Sequence, residues 1–176
     1  MSEQERYAID MELVRLREKK RKKRIWGTRI LTLSAVWVFC CVIFGISVVQ
    51  GDSMRPAYHP GDLVIYARLM PGGVDYGDAV ILEDASGKEC IKRIAGLPGD
   101  QIEMDDTGRI YRNGALVPEQ DVIYGTAGSG EVMTVTVPED AYFYLGDNRP
   151  VSNDSRQTGC VPENHLRGKI LLTFRR

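Results

Sequence analysis

The sequence predicts a mostly β fold: a compact domain of coiled, barrel-like antiparallel sheets, preceded by one N-terminal transmembrane helix. Three observations carry this expectation. Residues Ile30 to Val49 form a run of twenty without a charge. Short apolar runs bounded by Gly, Pro and Asp then recur from Asp62 to the last residues, with no long amphipathic pattern between them. The chain has 176 residues and an ordinary hydrophobic fraction of 43%, enough for one modest domain and an appendage.

In chain order, residues 1–29 are a basic segment expected on the cytoplasmic side. They hold ten Lys or Arg against five acids, which leaves 13 basic and 19 acidic residues, a net of −6, for the rest. A basic head on an acidic body argues against a nucleic-acid partner, which needs basic surface spread over the fold. Residues 1–24 read either as a helix or as a disordered segment, and no function attaches to them. Residues 30–49 are the expected anchor: as a helix, twenty residues reach about 30 Å, the thickness of the hydrocarbon core. Thr32, Ser34 and Ser47 are expected to bond back to the helix backbone. Lys19–Arg24 and Arg29 flank the run on one side, so residues 50–176 are expected outside the cytoplasm. A cleaved signal peptide is the alternative, but the run exceeds a usual apolar region of that kind and no A-x-A site follows it.

The expected β-rich domain, 50–176, has candidate strands at 63–66, 79–82, 89–95, 101–104, 109–112, 131–137, 141–145 and 169–174. DDTG at 105–108 and NG at 113–114 are hairpin signals. Four cysteines make no disulfide framework. Cys40 and Cys41 fall in the anchor. Cys90 and Cys160 lie where a bridge is permitted, and the sequence leaves their pairing open. No cysteine has a partner at zinc-ligand spacing.

Three segments carry candidate chemistry. In ECIKRIA the period of two puts Cys90, Lys92 and Ile94 on one face. Apolar neighbours disfavour an ammonium and lower a lysine's pKa, as a lysine base requires. The bland alternative is an edge lysine reaching water. Ser53, between Gly51 and Pro56, sits at a rigid corner or is an ordinary turn residue. GDNRPVSNDSRQTG, 146–159, is either a solvated loop or a packed functional one. His59 and His165 are the other candidate bases, and each reads more simply as a turn residue.

These segments, in this order, resemble the motifs of the bacterial type I signal peptidases, the Ser/Lys-dyad proteases that remove signal peptides. GDSMRPAYHPGDLVIY is similar to the nucleophile motif S-M-x-P followed by G-D. CIKRIAGLPGD is similar to K-R-x-x-G-x-P-G-D. YLGDNRPVSNDSRQTGCVP is similar to G-D-N-x-x-x-S-x-D-S-R-x-x-G. With the anchor, the resemblance covers roughly residues 25–176, and a lysine rather than a histidine at 92, with a short outer domain, resembles the compact Gram-positive form. It implies Ser53 as nucleophile, Lys92 as general base and Ser152 as the hydroxyl orienting the amine. It also implies a supporting Asp154–Arg156 ion pair, Asp147 and Arg149 ordering the same loop, and Met54 beside the scissile bond. Gly51 stands where the Gram-negative form has an oxyanion-binding Ser, so the oxyanion is expected to rely on backbone N–H groups, with Gly51 allowing close approach. Pro56-Ala57-Tyr58 departs from the usual P-T-L and alters the cleft wall. The substrates implied are signal peptides of secreted preproteins cleaved after small residues, of the A-x-A type, at the lipid bilayer and in proximity to the secretion translocon. No cofactor and no metal are implied. Two other readings compete: a self-cleaving cytoplasmic Ser/Lys protease, which would lack the anchor, and a non-catalytic exported β domain. Because both cysteine-bearing motifs meet at the site, Cys90 and Cys160 are expected near one another.

Overall fold

The structure is a computed structural model and describes residues 3–70, 72–84, 87–125 and 132–175. Helix α1 runs from Glu3 to Ile43. The stretch Glu18–Ile43 is long and apolar enough to cross a membrane. The hydroxyls of Thr28, Thr32 and Ser34 donate to carbonyls three residues back, which keeps them paired where no water is at hand.

The expected helix through Val49 is corrected here: it stops at Ile43, and Phe44–Val48 is strand β1. Ser47 therefore lies in a strand and not in the helix. The cause is a long-range pairing. β1 runs antiparallel to β2, Leu63–Ala67, with Gly45 opposite Tyr66. A Cβ at Gly45 would lie 2.2 Å from the Tyr66 ring, so only glycine lets the strand cross there. The helical apolar stretch then runs from Ile25 to Ile43, about 28 Å at 1.5 Å per residue, with Arg29 its single charge.

The remaining strands are β3 (Ala79–Glu83), β4 (Glu89–Gly96), β5 (Gln101–Met104), β6 (Ile110–Arg112), β7 (Ala115–Leu116), β8 (Met133–Thr136), β9 (Ala141–Leu145), β10 (Val161–Pro162) and β11 (Leu166–Phe174). A four-residue helix α2, Ser155–Thr158, precedes β10. Of the expected strand at 131–137, Glu131 lies outside the described residues. The larger sheet has the order β1-β2-β11-β3-β4-β9-β10, and the smaller β7-β6-β5-β8. The pairings between these strands are antiparallel. Register shifts in β11 and at Ile94/Gly96 bend the larger sheet into a curled half-barrel. Asn113 and Gly114, both at positive φ, make the β6–β7 turn that their pair of residues announces.

β9 is buried along its whole length and divides the core. Tyr142 and Tyr144 pack with Val80, Leu82, Ile94 and Leu166 on one face, while Phe143 and Leu145 pack with Ala95, Ile102 and Ile110 on the other. Cys90 joins the first cluster and Cys160 the second. Both thiols are free, so no bridge joins them, and they pack against different core clusters. At the other end of the sheet, Phe44, Ile46 and Val48 stand exposed beside Leu63, Leu172 and Phe174, an apolar face across β1, β2 and β11.

Candidate active site

Ser53 lies in the turn that follows β1. The turn is closed by hydrogen bonds from the Val49 amide to the Asp62 carbonyl and from the Tyr58 amide to the Met54 carbonyl. Met54, 2% exposed, anchors it from beneath and leaves Ser53 half-buried at its rim. Gly51 has φ +77 with nothing within 4 Å of a Cβ. Left-handed backbone is what requires a glycine there.

Lys92 projects from the middle of β4, opposite Val80 and between Cys90 and Ile94 on the face of the first core cluster. It is 4% exposed, and its Nζ donates to the Ser152 hydroxyl at 2.8 Å. Burial pushes its pKa below the ordinary lysine value, against smaller opposing pulls from Cys90 and Asp154. The edge-lysine alternative is thereby excluded. Ser53, Met54, Ile91 and Lys92 line one cleft of about 580 Å³, together with Gly51 and Asn153.

The loop 146–154 joins these parts. The Asn148 amide donates to the Ser53 carbonyl at 2.9 Å, and its side-chain amide to the Asp52 carbonyl at 3.1 Å. Gly146 packs so tightly that a Cβ there would fall 2.2 Å from Ser152 Oγ and 2.5 Å from the Ser53 carbonyl oxygen. Asp154, fully buried, caps α2 and accepts from the Gly146 amide at 3.0 Å and from Arg156 Nε at 2.8 Å. Arg156 also donates to the carbonyls of Arg149 and Ser152. The expected Asp154–Arg156 pair is therefore present, inside a loop whose polar groups are satisfied.

Asp147 and Arg149 both order this loop, each through a partner that the sequence did not announce. Asp147, 1% exposed, is gripped by Arg93 of β4 at 2.7 and 2.6 Å. Arg149 pairs with Glu119 at 2.5 Å and donates to the carbonyls of Gly146 and Gly108. Arg93 is the residue after Lys92, and its place on the other face of β4 was legible. Glu119, in a stretch of mixed polar residues, carries no local signal. His59 and His165 are not in the cleft: the His59 amide donates to Asp62, and the His165 ring faces the Glu83 carbonyl.

A hydroxyl and an amine of lowered pKa in one cleft, on a sheet domain, can carry out acyl transfer without imidazole, which is the chemistry of a serine endopeptidase. The profile of the family described as signal peptidase, peptidase S26, matches residues 23–174. The chain is 35% identical over 145 residues to a signal peptidase I of Bacillus licheniformis, covering 75% of this chain and 77% of that protein. It is 29% identical over 178 residues to signal peptidase I U of Bacillus subtilis (strain 168), covering 94% and 95%. A solved signal peptidase I from Enterococcus faecalis V583 aligns at 30% identity with a TM-score of 0.47, covering 56% of this chain and 97% of that one. The chain belongs to the signal peptidase S26 family. It is a membrane-anchored serine endopeptidase that removes signal peptides from secreted preproteins, with its N-terminal helix as the anchor.

Proposed function

We propose that Ser53 is the nucleophile of this peptidase and Lys92 its general base. The observation that carries the reading is the buried Lys92 amine, held at 2.8 Å by Ser152 in the cleft that Ser53 also lines. The neutral amine takes the Ser53 proton as the oxygen attacks the scissile carbonyl. The protonated amine then gives that proton to the leaving amine, and water hydrolyses the acyl-enzyme with Lys92 again as base. Ser152 holds the amine in line. Asp154 and Arg156 hold Ser152, and Asp147 and Arg149 hold the loop that carries it. Backbone N–H groups of the turn, Ser53 among them, receive the oxyanion beside Gly51. The apolar side chains of Met54, Ile81 and Ile91 in the cleft wall support recognition of small residues at −1 and −3 of the signal peptide.

The N-terminal segment 1–29 is placed in the cytoplasm and the domain after the anchor outside it, on the strength of Lys19–Arg24. The exposed apolar face of β1, β2 and β11, which starts at the residue after α1, supports a domain held at the membrane surface. There its substrates emerge from the secretion translocon.

The test is cleavage of a purified preprotein by the wild type and by Ser53→Ala. The variant is expected to fold and to leave the preprotein intact; wild-type turnover by it would remove Ser53 from the mechanism.

A further inference from the structure

The segment 118–124, between β7 and the next described strand, touches both halves of the site without lining the cleft. Val122 makes an antiparallel bridge to Pro56, three residues past Ser53, and Ile123 makes a parallel bridge to Asn148. The Ile123 amide donates to the Asp147 carbonyl at 2.8 Å, and the Arg149 amide to the Ile123 carbonyl at 3.0 Å. One short strap thus pairs with the nucleophile turn through one residue and with the lysine-orienting loop through the next.

Glu119 fixes the strap electrostatically. Its side chain is 7% exposed and that of Arg149 2%. One carboxylate oxygen accepts from Arg149 and the other from the Tyr124 hydroxyl at 3.1 Å. Arg149 spends its other donors on the carbonyls of Gly146 and Gly108. Glu119 is its carboxylate partner among the described residues. Removing that charge leaves a buried guanidinium uncompensated, and the guanidinium responds by moving toward water. Gly146 has little room to follow, because the space beside it is taken: a Cβ built on it would fall 2.2 Å from the Ser152 hydroxyl oxygen and 2.5 Å from the Ser53 carbonyl oxygen.

We infer that Glu119 is a positioning residue for the peptidase reaction: through Arg149 and Gly146 it sets the Ser152 hydroxyl that orients the Lys92 amine. The inference rests on the Ser53–Lys92 reading. Glu119 touches neither substrate nor reacting atoms, so its effect falls on kcat and not on KM. The effect is also conditional on Ser152, whereas a residue that only holds the fold acts regardless of Ser152.

The experiment measures kcat and KM on one preprotein for the full chain in detergent, with Glu119→Gln made alone and on Ser152→Ala. Melting temperatures accompany each protein. Glu119→Gln alone is expected to lower kcat about tenfold or more, the scale of a mispositioned group, with KM within about threefold. On Ser152→Ala the same substitution is expected to change kcat less than about twofold. Where Glu119→Gln does not fold, Glu119→Asp, which keeps the charge and shortens the reach, is read by the same two comparisons. An equal loss in both backgrounds overturns the inference, as does unchanged kcat or a loss confined to KM. Wild-type turnover by Ser152→Ala itself would instead refute the reading of the site, and the inference with it.

Discussion

Gly146→Ala adds one methyl group at the point where the nucleophile turn and the lysine-orienting loop meet. The glycine is not among those at positive φ, so alanine brings no backbone strain of its own. What it brings is contact. Its Cβ would lie 2.2 Å from Ser152 Oγ and 2.5 Å from the Ser53 carbonyl oxygen, where ordinary contact begins at 3.4 Å. Relieving both contacts takes a shift of about 1.2 Å at the Ser152 hydroxyl and about 0.9 Å at the Ser53 carbonyl, and a displacement near 1 Å in a reacting constellation costs about 10²-fold in rate. That corresponds to about 2.7 kcal/mol in the barrier. The same overpacking costs about 1–3 kcal/mol in stability. Steady-state kinetics on a preprotein, with melting curves, should show kcat down about 10²-fold and KM little changed. Gly114→Ala is the control: it also adds a methyl, but into open space in a distant turn at φ +79, and should lower stability while sparing kcat. A folded Gly146→Ala enzyme with kcat within about threefold of wild type would refute the claim that this contact sets the geometry of the site.

The other predictions concern charge. Because burial lowers the Lys92 pKa and catalysis needs the neutral amine, kcat/KM should rise with pH through a group titrating below 10.5. A profile with its acidic limb at the free-lysine value would contradict this. Between that lowered pKa and 10.5 the unfolded chain binds a proton at Lys92 that the folded one does not, so this group's contribution to stability rises with pH across the window. Chemical denaturation of wild type and Lys92→Met across that range isolates the effect, and a difference between them that stays flat with pH would count against it. Arg93→Met leaves the Asp147 carboxylate, 1% exposed, without its cation. A loss of about 3–5 kcal/mol is expected, a fall of roughly 6–20 °C in Tm for a chain of this size. A Tm within about 2 °C of wild type would show that the pair carries little net stability.

Much of this was legible because it is local. The strand at 101–104 is bounded by turn residues on both sides and appears with those limits. Lys92 between Cys90 and Ile94 needed only the two-residue period of a strand. The helix end was not legible: FGISV is as apolar as the residues before it, and it becomes a strand through pairing with β2, where Tyr66 lies twenty-one positions after Gly45. The capping box of α2, with Asp154 and Gln157 three apart, is a local signal that could have revealed that helix. The partners of Asp147 and Arg149 could not be read in this way. Arg93 lies 54 positions from Asp147 and Glu119 lies 30 from Arg149, and charge pairing has no period in sequence. The cysteines illustrate the same limit: Cys90 and Cys160 belong to neighbouring motifs, yet they pack against different core clusters.

The account stands most directly on Lys92 as a base. Lys92→Arg keeps the positive charge and a similar length, but a guanidinium does not give up its proton in any practical buffer. The decisive measurement is kcat/KM for this variant on a peptide with Ala at −1 and −3, alongside a melting curve showing that it folds. The account predicts a loss of about 10²-fold or more, the contribution of a positioned general base. Activity within about tenfold of wild type, a cost near 1.4 kcal/mol, would contradict it and leave Lys92 as a buried cation of another purpose.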